Sequence, residues 1–118
     1  MTFDDVVLLA LTLPGVERST SYGAPALKVG GKPIANQPSS PALREEGRVL
    51  VLHDVGLDER AMLIEAEPEA FFFTDHYRNY PLVLVRLPAI TAERLRPYLE
   101  RSWRLRAPRR LRRHAETR

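Results

Sequence analysis

Apolar residues at Phe3, Val6, Val7, Ala10 and Leu11 recur at helical spacing. Thr2 with Asp5 three residues on matches a capping box, Asp standing in for the usual Glu. The pattern predicts a helix from about Phe3 to Leu13, stopped by Pro14-Gly15. Two short apolar runs follow, Ala26 to Val29 and Pro33 to Asn36. Gly30-Gly31-Lys32 between them reads as a hairpin turn. Residues 37–47, QPSSPALREEG, have no periodicity and read as an exposed loop. Arg48 to His53, RVLVLH, is the clearest strand, and residues 54–58 supply the turn into a second helix, Glu59 to Ala66, with Asp58 expected as its cap.

Phe71, Phe72 and Phe73 form an apolar run too short for a helix. Leu82 to Leu87, LVLVRL, reads as a strand buried on both faces except at Arg86. An unpaired buried guanidinium is costly, so Arg86 is expected on a solvent face or against a carboxylate, Asp75 or Glu100. Thr91 caps a third helix whose inward stripe is Leu95, Leu99, Ser102 and Trp103, with Leu105 and Leu111 further along, and Pro108 breaks or kinks it. The resulting order is α-β-β-β-α-β-β-α. Strands and helices that do not alternate strictly predict an α+β fold of two layers, an antiparallel β-sheet with helices packed on one side.

The length of 118 residues fits one domain with a real core, here residues 1–108, followed by an Arg-rich C-terminal tail, residues 109–118. No Cys is present, which excludes disulfide frameworks, thiol nucleophiles and Cys-ligated metals and leaves a cytoplasmic location as the expectation. No apolar run is long enough to span a membrane, and the acidic start does not resemble a signal peptide. A monomer that does not engage membranes is the expectation.

The formal net charge of +3 conceals an asymmetry. Residues 1–100 carry 10 basic and 14 acidic side chains, whereas residues 101–118 carry 8 basic and 1 acidic, every basic one Arg. Arg donates bidentately and is weakly hydrated, which suits phosphate. The bland alternative is a solvated helix end whose cations complement the C-terminal dipole. The chain also has 16 Arg and 2 Lys overall, so part of the excess reflects a general preference for Arg.

No catalytic motif emerges. His53, His76 and His114 lie in three unrelated contexts without metal-ligand spacing, and neither a GxSxG elbow nor a P-loop is present, so no cofactor or metal is expected. The most distinctive stretch is Thr74-Asp75-His76-Tyr77-Arg78-Asn79-Tyr80-Pro81. It reads either as a small polar and aromatic pocket or as a structural turn in which Tyr77 and Tyr80 are half-buried, Asp75 bonds backbone amides and Pro81 starts an edge strand. Ser21-Tyr22-Gly23-Ala24-Pro25 carries the same ambiguity, with turn chemistry the simpler reading. Trp103 among Arg101, Arg104 and Arg106 reads either as a single-strand stacking platform or as a core ring whose edge carries an Arg by cation–π contact.

Leu13 to Val16 (LPGV), Ser21 to Lys32 (SYGAPALKVGGK), Phe71 to Leu87 (FFFTDHYRNYPLVLVRL) and Trp103 to Leu111 (WRLRAPRRL) together resemble the MmcQ/YjbR family of small bacterial proteins. The resemblance implies the same two-layer α+β domain and a DNA-binding role through a double-wing arrangement; it supplies no enzymatic residues. Residues 37–47 depart from the tight hairpin expected of one wing. The expected function is therefore non-enzymatic, sequence-tolerant binding of DNA phosphates by Lys28 and Lys32 on one hairpin and by Arg101, Arg104, Arg106, Arg109, Arg110, Arg112 and Arg113. The rival is a small-molecule-binding or accessory protein using a pocket of Tyr22, Asp75, His76, Tyr77, Arg78 and Tyr80. A third reading is an interaction module whose basic tail docks on an acidic partner.

Overall fold

Two-residue turns set up the first half of the sheet. In the computed structural model, which describes residues 1–116 and their side chains as far as Arg113, strands β1 (Glu17–Ser21), β2 (Ala24–Val29) and β3 (Lys32–Asn36) form consecutive hairpins. Tyr22-Gly23 joins the first pair and Gly30-Gly31 the second. All four residues have positive φ, 51° and 77°, then 58° and 79°. Two successive left-handed residues are what a type I′ turn requires, and its twist matches that of the strands it joins. Glycine adopts this backbone freely, but at Tyr22 it costs about 1–2 kcal/mol.

Strands β4 (Val49–His53), β5 (Phe71–Phe72) and β6 (Leu82–Arg86) complete a six-stranded antiparallel sheet of order β1-β2-β3-β4-β6-β5. The helices are α1 (Phe3–Ala10), α2 (Pro41–Arg44), α3 (Leu57–Ala66), α4 (Ala92–Arg106) and α5 (Arg109–Glu116). The fold is the expected α+β class. Its principal core lies between the sheet and α1, α3 and α4, with Val6, Leu27, Leu50, Leu52, Phe71, Val83, Val85, Leu95, Leu99 and Trp103 among its members. The period-2 alternation of β4 and β6 sends Val49, Val51, Leu82 and Leu84 to the opposite face, where Leu43 of α2, Phe72 and Tyr77 partly cover them.

The differences from the sequence reading have local causes. Strand β1 adds a sixth strand that was not expected, because all its residues but the half-buried Ser21 are exposed and only backbone pairing along the sheet edge defines it. Helix α1 ends at Ala10, and Leu11 is exposed in the turn that follows. Residues 41–44 of the expected loop form α2, started by Pro41. Asp58 is not a cap: Gly56 holds that position and Asp58 lies in the first turn. Leu105 is exposed instead of joining the inward stripe. Arg86 meets neither Asp75 nor Glu100; its guanidinium lies 3.9 Å from the centroid of the Phe72 ring. Trp103 is a core residue whose Nε1 donates to the Pro14 carbonyl at 2.8 Å, and the stacked cation nearby is Arg101 over Tyr98. Strand β6 lies between β4 and β5, so Pro81 does not begin an edge strand.

The Arg-rich end is seated on the body at two points. The side chain of Leu111 packs over Gly15 and against the principal core, and Pro108 lies against Gly30 in the β2–β3 turn. A Cβ at Gly15 would collide with Leu111 Cδ1, and φ there is 74°. Gly15→Ala is therefore expected to lower stability by about 1–2 kcal/mol in urea denaturation and to expose α5 to proteolysis after its arginines. Gly31→Ala, with open space around its Cβ, should show only the backbone penalty and leave α5 protected.

Candidate functional site

Helix α3 buries one residue, and it is Arg60, 5% exposed. Its Nη1 donates to the carbonyls of Tyr77, Tyr80 and Leu82 at 3.1, 3.2 and 3.3 Å, and its Nη2 to that of Arg78 at 2.7 Å. The Phe73 ring closes the remaining side, 4.1 Å from the guanidinium carbon. Burial, and then the charge of Arg78, push this guanidinium below its ordinary pKa, although an arginine stays protonated under such conditions. Five fixed donors suit a cluster of carbonyls that converge from one loop. Arg60 thereby determines the path of residues 77–82, the centre of the distinctive polar and aromatic stretch.

That path forms one wall of a cavity of about 570 Å³ over the helix-poor face of the sheet. Its floor is Val51, Leu82, Asn36 and His53; Tyr80, His76 and Tyr77 stand on one side, and Tyr22, Pro33 and Arg106 on others. A second cavity of about 570 Å³ adjoins it, sharing Ser39, His76 and Tyr77 and extending to Leu43 and Thr74. The His76 and Tyr77 rings meet edge to face at 4.8 Å. Of the pocket residues expected from sequence, Tyr22, His76, Tyr77 and Tyr80 converge here. Asp75 and Arg78 do not line it. They pair with each other at 2.5 Å on the exposed side of the loop, so Asp75 does not serve backbone amides, and Tyr80 is 57% exposed instead of half-buried.

Sequence reading missed the floor. Asn36 Nδ2 donates to the Gln37 carbonyl at 2.9 Å, which turns Oδ1 toward His53, 2.5 Å from Nε2. The His53 Nε2–H is therefore the donor. Burial pushes the His53 pKa down to about 4, with Arg106 adding to the effect and Asp54 opposing it, so the ring is neutral at pH 7. Neighbouring Asp54 has a positive φ of 62°. Its Oδ2 accepts from Ser102 Oγ at 2.6 Å and Arg106 Nε at 2.7 Å, and Arg101 Nη2 donates to its carbonyl at 3.1 Å. Burial raises the Asp54 pKa, but the bonds from Arg106 and Ser102 outweigh it and hold the carboxyl below its ordinary value.

The expected phosphate ligands divide into two groups. Arg101 forms a bidentate pair with Glu59 at 2.8 and 2.9 Å, and Arg106 is bound to Asp54, so both carry structural bonds. Arg104, Arg109, Arg110, Arg112 and Arg113 form no ion pair with a carboxylate among the described side chains, and Arg104, Arg109, Arg110, Arg112 and Arg113 are exposed. Lys32 is exposed beside the Gly30-Gly31 turn, whereas Lys28 is half-buried and stands opposite Glu17. His114, Thr117 and Arg118 lie outside the described side chains. Among the described residues no group of His, Asp or Glu has a metal-binding arrangement, and no helix is long and apolar enough to cross a membrane.

A family model described as YjbR matches residues 11–105. Uncharacterized proteins of Mycobacterium bovis and Mycobacterium tuberculosis are 41% identical to this chain over 49 residues, which is 42% of this chain and 38% of theirs. The match thus spans well under half the length of these relatives. The crystal structure of Deinococcus radiodurans protein DR2400, assigned to domain DUF419, has the same fold, with a TM-score of 0.69, 22% identity, and coverage of 88% of this chain and 77% of that one.

Replacing Arg60 by Met leaves four carbonyls without their donor, and the expected loss is about 3 kcal/mol in urea denaturation. Faster amide exchange confined to the segment around residues 77–82 would accompany it. The neutral His53 makes a separate prediction. Its folded pKa of about 4 lies below the ordinary 6.5, so the unfolded chain binds the extra proton first as pH falls. Stability is full above about pH 6.5 and declines toward pH 4, by roughly 3 kcal/mol if the whole shift is expressed. His53→Gln should flatten the denaturation midpoint across that window.

Proposed function

The chain belongs to the YjbR family, and we propose that it is a non-enzymatic nucleic-acid-binding protein that holds phosphates with Lys32 and the exposed arginines of α4 and α5. The observation that carries this reading is the contact between the β2–β3 turn and the α4–α5 junction. An added Cβ at Gly30 would lie 3.0 Å from Pro108 Cδ and 3.7 Å from the Arg106 carbonyl, so the basic hairpin tip and the start of α5 adjoin. Residues separated by more than 70 positions then contribute to one basic edge, with Lys32 on one side and Arg109, Arg110, Arg112 and Arg113 on the other. The β2–β3 hairpin acts as a wing beside the helix. Phosphate contacts of this kind position a nucleic acid without reading its sequence.

The cavity supports a second reading, uptake of a small ring-bearing ligand, which a thermal-shift screen of free bases and nucleosides tests: a reproducible rise in melting temperature supports it, and unchanged melting across the set counts against it.

Fluorescence anisotropy with labelled DNA at low salt tests the primary reading. Binding in the micromolar range is expected, with log K falling by about 0.9 per neutralised phosphate against log salt. Substituting Arg109, Arg110, Arg112 and Arg113 together by Glu should abolish binding and leave the urea midpoint nearly unchanged. Retained affinity in that variant would remove α5 from the site, and absence of binding by the native chain would end the proposal.

A further inference from the structure

We propose that the cavity above Asn36 and His53 receives unpaired bases of a single strand whose phosphates lie along the basic edge formed by Lys32 and α5. This rests on the nucleic-acid reading above and narrows it from any polyanion or duplex to a strand with accessible base faces. Three features of the cavity point to that ligand. Its rim is aromatic, its floor of Val51, Leu82, Asn36 and His53 is uncharged, and it is continuous with the basic edge.

The rim carries Tyr22, 93% exposed, and Tyr80, also largely exposed. Tyr22 occupies a type I′ turn position where its left-handed backbone is strained and where Asn or Gly would be more stable. A large ring kept in solvent at such a position contributes nothing to the core, and an exposed aromatic beside a cavity is suited to stacking on a flat ligand. Tyr22 and Tyr80 project from different elements, the β1–β2 turn and the loop held by Arg60, and line the same space.

The floor offers an anion no free cation. Burial keeps His53 neutral at pH 7, and the Arg106 charge in the wall is already matched by Asp54. Phosphate would gain little there, whereas a flat neutral heterocycle can lie over Asn36 and His53, whose polar groups already bond each other, and meet the hydroxyls of Ser21 and Ser39 in the lining with its edge. Continuity with the basic edge is given by the chain itself. Pro33 in the wall follows Lys32, and Arg106 in the wall ends α4, just before the Ala107-Pro108 junction that leads into Arg109. The adjoining second cavity, sharing Ser39, His76 and Tyr77, extends the groove in the other direction and gives a second base its own place. A base within a duplex has both faces covered by its neighbours and its edge paired, so it enters neither cavity.

The test compares fluorescein-labelled oligothymidylate, oligouridylate, a thymidylate strand with central abasic sites and a duplex of equal length, by anisotropy at low salt. One or both intact strands should bind about tenfold more tightly than the abasic strand and the duplex. In the Tyr22→Ala/Tyr80→Ala variant the intact strands should lose about that factor while the abasic strand keeps its affinity, a split that general destabilisation would not produce. The two intact strands differ in the sugar and in the C5-methyl group of the base, and a preference for either over the abasic strand supports the inference. Equal affinity for intact and abasic strands, a duplex preferred to the single strand, or free thymidine monophosphate binding as tightly as the strand overturns it and leaves the phosphate reading standing. Binding of no oligonucleotide at all overturns both.

Discussion

A buried cation without a carboxylate partner is the constraint on which the sheet's outer face depends. Arg60 is taken out of water by α3, and its desolvation is offset only where several acceptors and an aromatic face converge on it. The carbonyls of Tyr77, Arg78, Tyr80 and Leu82 and the ring of Phe73 are that convergence. Four carbonyls within six residues cannot point at one guanidinium unless the chain curls around it. The curl leaves the side chains of His76, Tyr77 and Tyr80 free to wall a cavity. Because no carboxylate neutralises Arg60 on the inside, the loop's own dipoles do so. The acidic residue in the loop, Asp75, remains outside with Arg78.

A second buried cluster ties the other end of the cavity to the helical layer. Asp54 follows β4 in a left-handed conformation that turns its carboxylate toward α4, where Ser102 and Arg106 bind it. Arg101 completes the attachment through the Asp54 carbonyl and Glu59. The last turn of α4 is thus held where Arg106 reaches the cavity wall and where Pro108 can lie on the β2–β3 turn. The arginines of the C-terminal region therefore divide by task. Those that face the body, Arg101 and Arg106, are bound to carboxylates and fix the helix, while those of α5 project into solvent from a helix anchored by Leu111.

Where a segment's own residues carry its burial pattern, the sequence reading and the structure agree. Strands β4 and β6 are continuous apolar runs because both faces of the central sheet are covered, and α4 shows its cap and inward stripe plainly. Strand β1 was invisible because its side chains, Ser21 partly excepted, are in solvent and its pairing is a property of the neighbouring turn. Helix α3 was legible as a helix but not in its facing, since the residue it buries is charged and its acceptors come from a loop some 20 positions away. The polar and aromatic stretch from Thr74 to Pro81 stands out in sequence, and three of its five expected pocket residues, His76, Tyr77 and Tyr80, do meet. The floor did not stand out. Asn36 and His53 come together through the β3–β4 register, in which Asn36 lies opposite Val51, and no local signal in either strand encodes that register.

Tertiary placement likewise makes charge count alone a poor guide to the site. Summed over the C-terminal 18 residues, the excess of Arg reads as one basic surface, yet the fold turns two of those arginines inward and brings Lys32 to the others from the far side of the chain. A surface assembled in this way is shaped by the hairpin turn and the Pro108 junction more than by the tail's composition. It ends where Pro33 and Arg106 meet the uncharged floor of the cavity. The basic edge and the cavity thus adjoin near the strand ends of β3 and β4, so the placement of both depends on the alignment of two strands that share few direct pairings.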